Sequence, residues 1–190
     1  MLKKAGITNV LISEKQEDIA SADKLILPGV GHFDYGMLQL RNTPFFNLMN
    51  KRVLEDKVPV LGICLGAQLL TESSEEGSAA GLGWIKAQTR RFQTQKMATA
   101  LKVPHMGWSD VQIQKQSRLF EGMEKEENRF YFVHTYHIVC EDATDELVST
   151  HHGYDFTAGI EHENIIGVQF HPEKSHKFGM RLLYNFAKNY

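Results

Sequence analysis

Cys64 is the residue of this chain whose surroundings most clearly favour chemistry. It lies in the run Gly62-Ile63-Cys64-Leu65-Gly66, between an apolar stretch that begins at Val58 and a helical pattern that begins at Leu65. Glycines on both sides of a nucleophile allow a tight turn from strand to helix. Such a turn puts the thiol at a helix N-terminus, which favours the thiolate. The pattern predicts a reactive cysteine; an inert core cysteine between two small residues is the alternative.

His171 is the histidine best placed to act as a base for that thiol. It follows the apolar segment 165–170, and Pro172 and Glu173 come directly after it. Proline fixes a turn, and a carboxylate two residues on can bond the imidazole and set its tautomer. Cys64 and His171 both leave a predicted strand end, and such ends gather at one edge of a parallel sheet. The other histidines are explained more simply as surface or hydrogen-bonded core residues: His32, His105, His134, His137, His151, His152, His162 and His176.

A third element is the segment Pro28-Gly29-Val30-Gly31, which breaks the predicted strand 24–27. A glycine-rich loop after a strand exposes backbone N–H groups to an anion. Neither of the usual glycine-rich phosphate motifs follows, so a phosphate site is weakly supported. We expect instead that an N–H of Val30 or Gly31, beside that of Leu65, forms an oxyanion hole. A plain turn is the alternative.

The elements that must position these residues alternate between strand and helix in the first half. Strands are predicted over 10–13, 24–27 and 58–63, and helical periodicity runs over 34–40, 43–56 and 65–72. This alternation predicts a parallel sheet covered on both faces. The second half holds neighbouring strand patterns and then an amphipathic helix over 175–190. A mixed sheet or an antiparallel extension is therefore expected there.

Composition narrows the class of protein. The 190 residues are enough for one domain with a sizeable core. With 42% apolar residues, 23% charged residues and a net charge of −2, the chain has no signature of nucleic-acid or membrane binding. It opens with no signal peptide and has no spanning segment, so we expect a cytoplasmic protein. Cys64 and Cys140 make no disulfide framework, and no zinc-ligand spacing occurs. We expect neither a metal nor another cofactor.

Several motifs that occur in a fixed order carry a family resemblance. They are Leu27-Pro-Gly-Val-Gly31, Gly62-Ile-Cys-Leu-Gly66 with Gln68, Ser73-Ser-Glu-Glu-Gly77, Lys102-Val-Pro-His-Met-Gly-Trp108, Tyr131-Phe-Val-His-Thr-Tyr136 and Gln169-Phe-His-Pro-Glu-Lys-Ser175. Together they resemble the class I (triad) glutamine amidotransferases, and within them the glutaminase subunit of imidazole glycerol phosphate synthase. The resemblance covers nearly the whole chain. It implies an α/β, flavodoxin-like fold with an open, mixed, mostly parallel sheet and helices on both faces.

The resemblance also assigns roles to individual residues. Cys64 matches the nucleophile, His171 the base and acid, and Glu173 the residue that orients His171. The oxyanion region is matched by Val30, Gly31 and Leu65, and the lining of the glutamine site by Gln68, Glu76, Thr135 and Tyr136. Trp108 and Tyr131 match positions that face a cyclase partner, although core packing explains two aromatic residues equally well.

The activity that the resemblance implies is hydrolysis of L-glutamine to glutamate and ammonia through a γ-glutamyl thioester on Cys64. The ammonia passes through a channel in the cyclase subunit of a heterodimer, which makes imidazole glycerol phosphate and AICAR in histidine biosynthesis. Three alternatives stay open. The chain could be a paralogous subunit for amidino-sugar formation in surface polysaccharide, a hydrolase of the same fold that acts alone, or an inactive binding module.

Three departures from the family pattern bear on these alternatives. The family begins with a strand, a loop and most of a helix before the segment that matches Met1 to Gly6. We therefore expect residues 1–190 to be a single amidotransferase domain that is N-terminally shortened by on the order of 15–20 residues. A lower stability would follow if a strand were missing from the sheet. Ser109 stands where asparagine is usual, and His32 stands where a small residue is common.

Overall fold

A computed structural model of the chain describes residues 1–96, 101–123 and 128–190. The strands are β1 Leu25–Gly29, β2 Val60–Cys64, β3 Ser73–Ser74, β4 Ala87–Arg91, β5 His105–Asp110, β6 Gln112–Ile113, β7 Arg129–His134, β8 Tyr136–Cys140, β9 Glu146–His151, β10 Asp155–His162 and β11 Ile165–Val168. The α-helices are α1 Gln16–Ser21, α2 Phe33–Arg41, α3 Phe46–Leu54, α4 Leu65–Leu69 and α5 His176–Asn189. Short 3-10 turns cover Leu2–Ala5, Thr94–Lys96, Arg118–Phe120, Ala143–Asp145 and Pro172–Lys174.

Strands β1, β2 and β11 pair parallel in a nine-stranded sheet. Seven of its strands follow the order β1-β2-β11-β10-β8-β4-β3, and the other two branch from it, with β9 on β10 and β6 on β9. Strands β3 and β4 also pair parallel. Every residue of β2 is buried, which explains its unbroken apolar pattern. The register pairs Gly29 of β1 with Cys64 of β2, and Val168 of β11 with Ile63. The three strands therefore end side by side, and the segments that follow them converge at one edge of the sheet.

The rest of the sheet is mainly antiparallel. Strand β10 pairs antiparallel with β11, β8 and β9, and β4 pairs antiparallel with β8. The predicted mixed sheet with an antiparallel extension is confirmed. Fewer strands pair parallel than the expected mostly parallel sheet requires. The reason is that the links from β9 to β10 and from β10 to β11 are too short for a parallel crossover. Strands β5 and β7 pair antiparallel as a separate two-stranded sheet.

Helices cover both faces of the sheet, as predicted. Residues of α2, α3 and α4 form one buried cluster with Val60 and Ile165. Leu182, Leu183 and Phe186 of α5 form another with the neighbours Leu61 and Ile166. Successive residues of β2 and β11 thus point to opposite clusters, as a pleated strand requires. The α/β fold class is confirmed. None of the described helices is long and apolar enough to cross a membrane.

The strand predicted over 10–13 is wrong. These residues adopt no strand, and Leu11 and Ile12 are almost fully exposed. Their β-branched and apolar character fits a strand, but a strand forms only where a neighbour supplies hydrogen-bond partners. In the described part of the chain, no strand pairs with this segment.

Candidate active site

Cys64 occupies the turn between β2 and α4 with a strained backbone. Its φ is 54° and its ψ is −112°, a region that residues with a side chain rarely adopt. The flanking glycines provide space. A Cβ on Gly66 would lie 1.8 Å from the Leu27 carbonyl oxygen, and one on Gly62 would lie 2.8 Å from the backbone of Ala67. The predicted glycine-flanked turn is confirmed. Glycine is needed at positions 62 and 66 because main-chain atoms approach closely there. The residue with the unusual dihedral angles is Cys64.

His171 and Glu173 form a hydrogen-bonded pair beside this turn. The distance between His171 Nδ1 and Glu173 Oε1 is 2.7 Å. The imidazole is almost fully buried, whereas the Glu173 side chain is 45% exposed. Because an ionised carboxylate only accepts, Nδ1 carries the proton of this bond. The second ring nitrogen, Nε2, is then left for chemistry.

Charge in the site favours a protonated His171. Its interaction with the Cys64 sulfur and then with the Glu173 carboxylate raises the pKa of His171 to about 9, against the opposing effect of burial. Burial pushes the pKa of Glu173 upward, but the bond from His171 and other polar contacts outweigh it and lower that pKa. His171 Nε2 is buried and has no hydrogen-bond partner among the described residues. The contact with Cys64 is therefore electrostatic without regular hydrogen-bond geometry, as is common in sites without substrate.

The main chain around His171 is held by β7 and by a serine. The His171 N–H donates to the Tyr131 carbonyl oxygen at 2.9 Å. The Ser175 hydroxyl donates to the His171 carbonyl oxygen at 2.6 Å and accepts from the Tyr131 N–H at 3.0 Å. Ser175 is fully buried. Ser175 has no role predicted from the sequence, because a serine that fixes a loop resembles any other loop serine.

The glycine-rich loop adjoins the Cys64 turn, as predicted. Gly29 lies opposite Cys64 in the sheet, and a Cβ on Gly29 would lie 3.1 Å from Leu65 Cβ. Val30 and Gly31 follow directly, and Gly31 has a φ of 101°. Leu65 is the first residue of α4, so its N–H has no partner within that helix. The structure brings these predicted oxyanion residues to one place; their donation to substrate stays a prediction.

The residues predicted to line the glutamine site fall into two groups. Gln68 is buried, and its Nε2 donates to the Tyr136 carbonyl oxygen at 3.1 Å, with Thr135 adjacent in the chain. Glu76 lies on the loop after β3, where its Oε2 accepts from the Phe33 N–H at 2.8 Å. That bond ties Glu76 to the segment just after Gly31. Binding of glutamine by these four residues stays a prediction.

Trp108 and Tyr131 face each other across the β5–β7 pair. Their ring centroids are 6.0 Å apart, and the Trp108 ring stacks on His176 at 5.3 Å. Trp108 is 38% exposed, and Lys174 Nζ lies 5.8 Å from the centre of the Tyr131 ring. The indole is therefore not part of the buried core, and its contact with a partner stays a prediction. Because the Tyr131 carbonyl oxygen accepts from the His171 N–H, this aromatic face adjoins the segment that carries His171.

Other buried histidines form a cluster of their own. His105 Nδ1 lies 3.1 Å from His134 Nε2, and both rings contact Phe92 and Phe156. Burial lowers the pKa of His105 to about 4 and holds that of His134 well below its usual value. These histidines are neutral core residues, in line with the simpler explanation. Within residues 1–96, 101–123 and 128–190, no group of three or more His, Cys, Asp or Glu side chains could hold a metal ion.

Comparison with known proteins agrees with this geometry. The family model for class-I glutamine amidotransferase matches residues 3–190. Imidazole glycerol phosphate synthase subunit HisH 2 of Methanococcus maripaludis is 48% identical over 188 residues, which are 99% of this chain and 91% of that protein. The HisH 2 subunit of Pseudomonas aeruginosa is 46% identical, with the same coverage. A solved glutamine amidotransferase structure superposes with a TM-score of 0.66 at 19% identity, over 96% of this chain and 89% of that one.

Proposed function

The chain belongs to the class-I glutamine amidotransferase family, among the HisH subunits of imidazole glycerol phosphate synthase, and we propose on that premise that it is the glutaminase subunit of such an enzyme. Its substrate is L-glutamine, and its products are glutamate and ammonia. The buried His171 carries the proposal, because one of its nitrogens is fixed by Glu173 and the other is left beside Cys64.

The first half of the reaction makes a thioester. The Cys64 thiolate attacks the carbon of the glutamine side-chain amide, and the oxygen gains negative charge in the tetrahedral intermediate. The N–H of Leu65, with that of Val30 or Gly31, stabilises this oxyanion. His171 Nε2 gives its proton to the amide nitrogen, the C–N bond breaks, and ammonia leaves. The raised pKa of His171 supports this order, because the ring is protonated at neutral pH.

The second half restores the enzyme. His171, now neutral, removes a proton from a water molecule as the water attacks the thioester carbon. The carbon–sulfur bond breaks, glutamate is released, and Cys64 returns as a thiolate beside a protonated His171. Glu173 keeps the proton of Nδ1 in place throughout, so that only Nε2 exchanges protons.

Recognition of glutamine needs groups for its ammonium and its carboxylate. Glu76 has one carboxylate oxygen that is not used by Phe33, and it supplies negative charge for the ammonium. Gln68, Thr135 and Tyr136 supply hydrogen-bonding groups on the other side. Charge-assisted bonds of this kind orient the side-chain amide toward Cys64.

The partner is a cyclase subunit that takes the ammonia through an internal channel, and Trp108 and Tyr131 contribute to the surface that meets it. An exposed aromatic pair next to the His171 main chain supports this role, because partner contact there acts directly on the catalytic loop. In this proposal the heterodimer makes imidazole glycerol phosphate and AICAR in histidine biosynthesis. It works in the reducing cytoplasm, where Cys64 stays free.

Ser109 favours a second candidate for the enzyme that uses the ammonia. Its hydroxyl lies 2.9 Å from the buried His105 Nε2, so it is used inside the subunit. Asparagine is usual at this position in the histidine-pathway subunits. A partner surface that lacks this amide suits a paralogous enzyme, such as the one that forms amidino sugars of surface polysaccharide. The glutaminase chemistry is the same in both cases.

Ammonia release from glutamine tests the proposal. Wild-type protein, Cys64→Ala and the matched control Cys140→Ala are assayed alone, with the histidine-pathway cyclase and its nucleotide substrate, and with the polysaccharide cyclase. We expect turnover that requires the histidine-pathway partner, is lost in Cys64→Ala and persists in Cys140→Ala. Stimulation only by the other cyclase would favour the second candidate. Turnover without a partner would indicate an independent hydrolase, and silence in every mixture would indicate an inactive module.

A further inference from the structure

Two buried glutamine side chains connect the nucleophile to β8. Gln169 is fully buried, and its Nε2 lies 3.8 Å from Cys64 Sγ, within range of a hydrogen bond to sulfur. Gln169 Oε1 lies 3.0 Å from Gln68 Nε2. Gln68 Nε2 lies also 3.1 Å from the Tyr136 carbonyl oxygen. The mechanism above uses Cys64 and Gln68 but gives Gln169 no task.

The main chain determines which way both amides point. An amide oxygen and nitrogen are similar in shape, so their assignment depends on the partners. The Tyr136 carbonyl can only accept, so Gln68 must present its NH2 group to it. The second hydrogen of that NH2 group faces Gln169, which must therefore present its oxygen. The NH2 group of Gln169 is then left on the side of the Cys64 sulfur.

The strand explains why this donor reaches the sulfur. Gln169 is two residues before His171, and residues two apart on an extended segment point to the same side. The Gln169 N–H donates to the Ala158 carbonyl oxygen at 2.9 Å, so the extended path continues past the end of β11. One segment thus carries two groups toward Cys64. His171 exchanges a proton with the reacting atoms, whereas the Gln169 amide does not titrate.

A donated N–H favours the charged form of the atom that accepts it. The thiolate accepts a stronger bond than the thiol, so an amide on the sulfur increases the thiolate fraction at a given pH. A buried amide that only filled space would cost free energy compared with an apolar side chain of the same size. The observed orientation therefore indicates a task at the sulfur.

We propose that Gln169 is a positioning residue of the glutaminase reaction. Its NH2 group holds the Cys64 sulfur as a thiolate, and its carbonyl oxygen holds Gln68 in the orientation that faces the substrate. The inference rests on the proposed function where it concerns Gln68 and the substrate. The effect of Gln169 on Cys64 is independent of substrate and partner.

The test measures how fast iodoacetamide alkylates Cys64 between pH 5 and pH 10, with the modified peptide quantified by mass spectrometry. The burial that raises the pKa of Cys140 to about 12 keeps that thiol protonated and slow to react. Gln169→Met replaces the amide by an apolar chain of similar length. The matched control is Gln88→Met, because the Gln88 side chain contacts Arg90 and lies away from Cys64.

We expect the rate curve of Gln169→Met to move to higher pH by about one unit, so that its reaction with iodoacetamide is about tenfold slower on the acidic limb of the curve. Gln88→Met keeps the wild-type curve. Circular dichroism establishes that each variant is folded. A folded Gln169→Met with the wild-type curve would overturn the inference, since the amide would then only fill space.

Gln169→Glu gives a second test if the methionine variant does not fold. It differs by one atom, retains the oxygen that holds Gln68 and replaces the donor on the sulfur. At pH 8 we expect kcat for glutamine to fall about tenfold or more with little change in KM, along with slower alkylation. An unchanged kcat and alkylation rate would contradict the inference. Loss of glutaminase activity in wild-type protein would count against the proposed function alone, because the alkylation curves need no glutamine.

Discussion

Gly66 lies so close to Leu27 that a Cβ atom would stand 1.8 Å from the Leu27 carbonyl oxygen. The contact joins the first turn of α4 to β1, and therefore joins the Cys64 turn to the loop that follows β1. A contact of this kind involves main chain on both sides, so no side chain can rotate to relieve a clash.

Gly66→Ala is expected to separate these two segments. The added methyl group must displace either α4 or β1, so we expect a loss of about 3 kcal/mol or more in the free energy of unfolding and severe loss of glutaminase activity. Urea unfolding followed by circular dichroism measures the first. Gly36→Ala in α2 is the control, because the atoms nearest to its Cβ would be the ends of the Leu65 and Leu69 side chains and alanine favours a helix. Equal stability of the two variants would refute the argument.

Glu173→Gln is expected to reduce kcat by about 100- to 1000-fold with the fold intact. Glutamine accepts the Nδ1 proton less strongly and can also donate, which favours the wrong tautomer of His171. The effect is smaller than for a fully buried carboxylate, because the Glu173 side chain is 45% exposed. Steady-state kinetics with saturating glutamine and partner check this. Glu72→Gln is the comparison, because Glu72 is exposed and is not one of the predicted site residues. A change below fivefold would mean that Glu173 does not orient His171.

The pH dependence of thioester formation should follow His171. Its pKa is raised to about 9, so the ring holds the proton needed by the leaving ammonia up to that pH and loses it above. We expect single-turnover rates to decline above pH 9, and the decline to start at lower pH in Glu173→Gln. The same ionisation affects folding. A raised pKa gives stability that is complete below the unfolded value of about 6.5 and is lost as the pH rises toward 9. Rates that still increase beyond pH 9.5 would contradict this assignment.

The buried histidine cluster should make the protein sensitive to acid. His105 has a pKa of about 4 in the folded protein because of its burial and the neighbouring His152. Between about pH 6.5 and pH 4 the unfolded chain binds a proton that the folded chain excludes, so stability falls as the pH falls. We expect the free energy of unfolding to be lower by about 2 kcal/mol at pH 5 than at pH 7.5.

His105→Gln tests the origin of that sensitivity. The variant lacks the titrating ring, so the difference between pH 7.5 and pH 5 should shrink, whatever its absolute stability. His151→Gln is the control. The His151 side chain is exposed, and among the described residues its ring bonds only Asp155. An identical pH difference in wild type and His105→Gln would show that other titrating groups, and not His105, govern the response to acid.

Trp108→Ala should weaken binding of the cyclase subunit by about 30-fold, the effect of losing a central aromatic contact. The glutaminase activity at a saturating concentration of the cyclase subunit should stay within twofold. Calorimetric titration of the two subunits gives the affinity. Tyr35→Ala removes another exposed aromatic ring from a different face, and we expect its affinity to equal that of wild type. Weaker binding in Tyr35→Ala with wild-type affinity in Trp108→Ala would place the interface at α2.

The chemistry of the site could be predicted from short patterns. Cys64, His171 and Glu173 are recognisable because a glycine-flanked thiol and a His-Pro-Glu turn each need only local sequence. A parallel arrangement could be predicted for the first half of the chain, where strand and helix alternate. Gln169 and Ser175 were not recognised, because a buried amide or hydroxyl acquires its role from partners that are distant in sequence: Gln68, Cys64 and Tyr131. The strand predicted over 10–13 was wrong for a related reason. Local β-propensity favours a strand, but it cannot supply the neighbouring strand with which to pair.

The two tryptophans of the chain lie in contrasting surroundings. Trp84 is buried and its Nε1 donates to Asn50 at 2.9 Å, whereas Trp108 is partly exposed and stacks on His176. The emission of an indole shifts to longer wavelength in water, so the two rings should contribute separable components to the fluorescence spectrum. Any molecule that covers the β5–β7 face would dehydrate only the long-wavelength component. The unlabelled protein thus contains an optical reporter of docking on that face, with an internal reference in its core.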